Sequence, residues 1–260
     1  MASDTPARPV LSCRNVEKVY GGRENVTRAL DGISLDVARG EYLAIMGPSG
    51  SGKTTLLNCI ATIDRPTSGQ VLVDGQDVTA LRPARLARFR RERLGFVFQD
   101  SNLLDTLTAR ENVALALTIA HVRPSEVIPR VERVAERLQV TEVLDKFPHQ
   151  MSGGQRQRVA AARAIVGDPA LVLADEPTGA LDSQNSRRLL ECLDGLNADG
   201  ATIVMVTHDA FAASYAHRVL FVKDGRVFSE VRRGDAPRAR FFDKIMDVVS
   251  FLGGEAADVR

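Results

Sequence analysis

Nine consecutive residues constrain this chain most: Gly47-Pro48-Ser49-Gly50-Ser51-Gly52-Lys53-Thr54-Thr55. They follow the apolar run Tyr42-Leu43-Ala44-Ile45-Met46, which suits a buried strand, and open onto Leu56-Leu57-Asn58-Cys59-Ile60-Ala61, which suits a helix. Strand, glycine loop and helix in that order is the setting of a phosphate-binding loop. Gly47, Gly50 and Gly52 let the backbone curl so that successive N–H groups point inward, and the helix start adds partial positive charge. In such a cradle Lys53 reaches the β- and γ-phosphates and the Thr54 hydroxyl a magnesium ion. An ordinary Gly/Ser turn before a helix is the plain alternative, and the required flanks weigh against it.

The 260 residues are enough for one sizeable α/β unit, expected as a single domain with lobes. With 34 basic and 33 acidic residues the net charge is +1, so no global field argues for nucleic acid, and direct nucleic-acid binding is not expected. Cys13, Cys59 and Cys192 lie far apart with no C-x-x-C pair and read as small buried residues in a reducing compartment. Asp4, Arg8 and two prolines in the first ten residues leave no apolar leader. No run approaches the roughly 18–20 apolar residues that span a bilayer, so work at a membrane requires a partner to hold the chain there.

Residues 1–9 read as a loose arm. Val10 to Tyr20 and Arg28 to Val37 alternate apolar and polar residues, with Gly21-Gly22 and Asp31-Gly32 as turn signals, and Gly69 to Val73 is a further strand closed by Asp74-Gly75. Together they predict a small antiparallel layer. Arg82 to Arg93 holds six arginines in helix-compatible sequence; a nucleic-acid face is one reading, and a solvated helix face the plainer one. Gly95 to Phe98 returns as a buried strand ending at Gln99. Residues 100–167 turn helical, with Thr108 and Glu111 at capping-box spacing and a second helix over Pro124 to Val140. Strands at Ala170 to Ala174, Thr202 to Val206 and Val219 to Val222 alternate with helices at Ser183 to Asn197 and Ala210 to Ala216. That alternation predicts an α/β fold with a mostly parallel sheet. Asp224-Gly225 marks a last hairpin, and a C-terminal helix from Arg238 to Leu252 is expected to stop at Gly253-Gly254.

Leu171 to Ala174 ends in Asp175-Glu176. Ligands collect at the carboxyl ends of parallel strands, where the glycine loop also lies. Asp175 is therefore placed to reach the magnesium shell, and Glu176 to orient or deprotonate an attacking water. An isolated Asp-Glu pair after a strand more commonly caps a helix or sits in solvent, and the upstream loop is what tips the balance. Thr202 to Thr207 likewise delivers His208, either a structural hydrogen-bonder or a sensor of the γ-phosphate. Met151-Ser152-Gly153-Gly154-Gln155 precedes a further helix and forms a second anion-binding helix start. Two cradles with one carboxylate pair point to sites built from two subunits.

In the order and spacing of these motifs the chain resembles the ATP-binding subunit of ATP-binding cassette (ABC) transporters, over roughly Val10 to Val231. The resemblance implies a P-loop ATPase core with an antiparallel β subdomain and a helical subdomain (about 100–167) inside a domain over 10–236, followed by a C-terminal helix and tail over 237–260. It implies ATP and Mg2+, with Gly47 to Thr55 on the phosphates, Asp175 with Thr54 on the metal, and Glu176 as general base. It further implies Gln99 as the glutamine that touches metal and water and reports to a membrane partner, and His208 as the switch histidine. Asp182 falls in the Gly179-Ala180-Leu181-Asp182 segment that crosses a dimer, and Ser152, Gly153, Gly154 and Gln155 in the signature that meets ATP bound by a second copy. Tyr20 matches an aromatic that stacks on adenine, its alternative being local packing. Met151 stands where leucine is usual, a volume-conserving change.

Phe98 to Leu104 and Gly179 to Asp182 resemble the macrolide-exporter and lipoprotein-release group, and Arg240 to Met246 through Gly253-Gly254 resembles ATPases of bacitracin-type peptide-resistance transporters. A peripheral ATPase is thus expected at the cytoplasmic face of the membrane. It would pair with itself and with a permease bearing a large extracytoplasmic domain, to export or detach a peptide-like or amphipathic substrate. A cassette ATPase regulating a membrane partner in cell division is the alternative; a P-loop GTPase or kinase leaves Ser152 to Gln155 without a role.

Overall fold

The computed structural model describes residues 8–22 and 25–254. Of the expected arm, residues 1–7 therefore lie outside the described residues. The elements run β1 (Leu11–Tyr20), β2 (Thr27–Val37), β3 (Tyr42–Met46), α1 (Lys53–Ile60), β4 (Ser68–Val73), β5 (Gln76–Asp77), α2 (Pro83–Arg93) and β6 (Leu94–Val97). They continue α3 (Ala109–Ile119), α4 (Pro124–Arg137), α5 (Gly153–Ile165), β7 (Leu171–Asp175), α6 (Ser183–Ala198), β8 (Ile203–Val206), α7 (Ala210–Ala213), β9 (Arg218–Lys223), β10 (Arg226–Arg232) and α8 (Arg238–Gly254).

Two sheets result. One has the order β2-β1-β4-β5 and is antiparallel throughout; the other runs β10-β9-β3-β8-β7-β6 and is parallel except for β10. The short runs Tyr42–Met46 and, within β7, Leu171 to Ala174 are continuously apolar because both faces of the parallel sheet are covered. Tyr42, Ala44 and Met46 join Val172 and Ala174 in a core completed by α3–α6, whereas Leu43, Ile45, Leu171 and Leu173 enter a second core with β1, β2, β4 and α1. This sandwiching brings the carboxyl ends of β3, β7 and β8 to one edge.

Several expectations are corrected. Asp31-Gly32 is not a turn but lies within β2, where Val16↔Ile33 gives way to Lys18↔Leu30 and leaves one extra residue on β2. α8 includes Gly253 and Gly254, its last described residues, rather than ending at Leu252. The helix expected from Ala210 to Ala216 ends at Ala213, and that from Pro124 ends at Arg137 with Leu138 as C-cap. Phe98 falls outside β6 and stacks on Phe96, with ring centroids 5.5 Å apart. The Thr108–Glu111 capping box forms as expected, and all three cysteines are buried and free. On α2 the arginines stay at the surface or half-buried while Phe89 turns inward; Arg88 pairs with Glu92 at 2.7 Å and Arg93 with Asp74 at 3.1 Å.

Candidate functional site

Immediately after β3 the chain turns through Gly47–Gly52 and enters α1. Pro48, Ser49 and Gly50 are exposed, while Ser51 is buried with no hydrogen-bond partner for its Oγ. Gly52 caps α1 with φ 100°, and a Cβ there would lie 2.3 Å from the Ala29 carbonyl, so only glycine allows the loop this close to β2. Lys53, 9% exposed, folds back to donate to the Gly47 and Pro48 carbonyls at 2.8 and 2.9 Å. Burial pushes its ammonium below the ordinary lysine value, and the Glu176 and Asp175 carboxylates pull it partly back.

Those carboxylates end β7. Burial, then the adjacent Glu176 charge, holds the Asp175 carboxyl above its usual range against opposing interactions from Thr54 and Lys53. Its buried Oδ1 has no hydrogen-bond partner. An orphaned carboxylate oxygen beside a hydroxyl fits a hydrated divalent cation that takes its remaining ligands from phosphate and water. Among the described residues no cluster of three or more His, Cys, Asp or Glu could hold a metal by itself.

Glu176 adopts φ 45°, a strained value for a non-glycine residue. The turn is pinned from both sides, because its N–H donates to the Val206 carbonyl at 2.9 Å and its own carbonyl accepts from the Gly179 N–H at 3.0 Å. Its side chain meets His208: Nδ1 lies 2.9 Å from Oε1, and the His208 backbone N–H reaches Oε2 at 3.4 Å. An ionised Glu176 accepts here, so Nδ1 carries the proton and Nε2 is left to another partner. Gln99 follows β6 and packs at the same turn; a Cβ on Gly179 would sit 3.1 Å from its Nε2.

Tyr20 ends β1, 41% exposed, and its hydroxyl donates to Asp64 at 2.5 Å and interacts with Thr55 on the first turn of α1. The expected residues Tyr20, Lys53, Thr54, Thr55, Asp175, Glu176, His208 and Gln99 therefore gather along one edge of the parallel sheet.

Ser152 to Gln155 opens a helix, α5, rather than following a strand of the parallel sheet. Ser152 is the N-cap of α5 in a full capping box, accepting the Gln155 N–H at 3.2 Å while its own N–H donates to Gln155 Oε1 at 2.9 Å. A Cβ on Gly154 would fall 2.1 Å from Asn185 Oδ1, so α5 and α6 meet closely there. Asp182 caps α6 and accepts the Asn185 N–H at 2.9 Å. Met151 is buried in the core, 4% exposed. Among the described residues no hydrogen bond or ion pair joins Ser152–Gln155 to Gly47–Thr55.

Two features escaped the sequence reading. Lys18 and Asp64 bracket Tyr20, and their only trace is an ordinary charged pair 46 positions apart. Gln157 and Arg163 on α5 donate to the carbonyls of Phe98, Ser101 and Asn102, holding the chain on both sides of Gln99. A groove of about 500 Å3, lined by Ile63, Phe96, Phe98, Leu115, Ile119 and Arg163, opens beside that segment.

A family model described as ABC transporter matches residues 30–179. The ABC transporter ATP-binding protein YxdL of Bacillus subtilis is 49% identical over 251 residues, spanning 96% of this chain and 97% of that one. The bacitracin export ATP-binding protein BceA of Halalkalibacterium halodurans is 46% identical over 96% of this chain and 99% of its own. A dimeric structure of the Methanocaldococcus jannaschii ATP-binding cassette MJ0796, in a post-hydrolysis state with ADP and Pi, superposes with a TM-score of 0.78 at 40% identity, covering 85% of this chain and 98% of that one.

Proposed function

The chain belongs to the ABC transporter family as one of its ATPases, and from that premise we propose that two copies close head to tail around two ATP molecules and drive a separate permease that exports or detaches a peptide-like substrate. The observation that carries this reading is that one chain holds two helix-start cradles, Gly47–Thr55 before α1 and Ser152–Gln155 at α5, with no hydrogen bond or ion pair joining them among the described residues. Both elements suit phosphate, so a second copy must bring them to one nucleotide.

In this reading Gly47, Pro48, Ser49, Gly50, Ser51, Gly52 and Thr55 cradle the phosphates, and Lys53 exchanges its carbonyl contacts for phosphate oxygens. Tyr20 stacks on the base. Asp175, Thr54 and Gln99 would hold Mg2+, which when bound would neutralise phosphate charge. Glu176 takes the proton of the attacking water. His208 orients the Glu176 carboxylate through Nδ1 and turns to the γ-phosphate as the dimer closes. Ser152, Gly153, Gly154 and Gln155 of one copy face the γ-phosphate held by the other, with Asp182 lying across the junction.

The division of the chain follows from this reading: an ATPase domain over residues 10–236, a helical subdomain over about 100–167 that carries the second cradle, and a C-terminal helix and tail. The groove beside Gln99 receives a cytoplasmic segment of the permease, and Arg163 links its wall to the backbone after Gln99. No described helix is long and apolar enough to cross a membrane; the permease holds the chain at the cytoplasmic face. Similarity to a bacitracin export ATPase favours a peptide antibiotic as substrate, and this reading gives the permease a large extracytoplasmic domain.

Gentle extraction of the tagged chain from its host membrane tests this reading. Recovery of a multi-span protein with such a domain is the expected result. Recovery of soluble proteins alone, with a known membrane complex intact in the same extract, would contradict it.

A further inference from the structure

The ring given to the base is not free to turn. The Tyr20 hydroxyl donates to Asp64 Oδ2 at 2.5 Å, and Asp64 Oδ1 accepts from the Lys18 ammonium at 2.6 Å and from the Arg65 N–H at 2.7 Å. Lys18 also reaches the Arg65 carbonyl at 2.8 Å and stands 4.8 Å from the centroid of the Tyr20 ring. Burial pushes the Asp64 carboxyl up, but donors from Lys18 and Tyr20 outweigh it and hold the group below the usual carboxylate range. One carboxylate at the end of the α1 turn therefore grips the ring by its hydroxyl and the cation beside its face.

An exposed tyrosine at a strand end otherwise samples several rotamers, and a ligand that stacks on it must fix one. We propose that Asp64 is a positioning residue for nucleotide base recognition, locking the Tyr20 ring, with Lys18, into a preset platform beside the phosphate loop. The proposal rests on the reading of Tyr20 as the base-stacking ring. A purely structural role, bracing the turn after α1, makes a different prediction. Bracing affects every ligand of the phosphate loop, whereas a base platform affects only ligands that carry a base.

Calorimetric titration of the full chain with Mg-ATP and with Mg-tripolyphosphate separates the two. Tyr20→Phe and Asp64→Asn should each weaken ATP by about three- to tenfold, the net worth of one hydrogen bond, and leave tripolyphosphate affinity within about twofold. Equal weakening of both ligands overturns the positioning role. Unchanged ATP affinity in these two variants, with a loss in Tyr20→Ala, overturns it while sparing the stacking. Unchanged ATP affinity in Tyr20→Ala removes the stacking reading and this proposal with it. The conservative Tyr20→Phe keeps the ring and its packing, so the test survives if Asp64→Asn folds poorly.

Discussion

Nδ1 of His208 lies 2.9 Å from Oε1 of Glu176, although the two residues arrive on different strands 32 positions apart. The contact is made possible by Glu176 holding φ 45° at the end of β7 while β8 runs parallel beside it. A carboxylate fixed this way has its orientation set before any nucleotide arrives, which is what a water-activating base needs.

Replacing Glu176 by Gln keeps the shape and the capacity to accept from His208 but removes the base. ATP turnover should fall at least about a hundredfold, with ATP affinity nearly unchanged, as read by phosphate release and equilibrium binding. Rapid turnover in Glu176→Gln would remove this residue as the base.

Ser152→Asp separates structure from chemistry at the second cradle. Aspartate caps a helix about as well as serine, so the capping box at α5 should survive and melting temperature should shift by no more than a few degrees. The new carboxylate would face a γ-phosphate held by the other copy, so hydrolysis should be abolished while the isolated monomer binds ATP as before. A large loss of monomer affinity would contradict the shared site.

Asp175 gives a pH-dependent prediction. Its carboxyl is raised, first by burial and then by Glu176, so the folded chain holds that proton more tightly than the unfolded one. The resulting stabilisation is present below the unfolded value of about 3.9 and is lost as pH rises through the folded value, leaving at neutral pH the cost of a buried charge. Asp175→Asn should therefore raise the melting temperature of the ligand-free protein at pH 7, by about 2–4 °C for each kcal/mol relieved, and the gain should shrink as pH falls toward 4. The same variant should lose the Mg2+ dependence of ATP binding. A lower melting temperature at pH 7 would show that the charge is not a burden in the folded state.

The chain contains no tryptophan, so Tyr20→Trp places a lone reporter at the base platform. ATP should change its emission and tripolyphosphate should not. Equal responses to both ligands would place the base elsewhere.

Much of this was legible in the sequence because the parallel strands are short, apolar on both faces and followed closely by their functional residues: Met46 by the loop, Ala174 by Asp175-Glu176, Val206 by Thr207-His208. Local pattern sufficed at Thr108–Glu111, where the capping box lies within one turn. It misled at Asp31-Gly32, because a bulge uses the same residues as a turn and only the opposing strand distinguishes them. At the other end of the chain α8 takes in Gly253-Gly254, two residues past the expected Leu252; Phe241 and Ile245, buried in the core, show how tertiary packing anchors that helix upstream. Asp64 was out of reach for another reason. It sits 44 positions from Tyr20, and nothing in an Asp-Arg-Pro turn announces which side chain its carboxylate will hold.

Closure of two copies around ATP is the central claim, and light scattering on Glu176→Gln tests it most directly. With Mg-ATP the variant should elute at dimer mass, and adding Ser152→Asp to the same chain should return it to monomer mass with ATP still bound. A monomer in the first case, at an ATP concentration that saturates binding, would contradict the account.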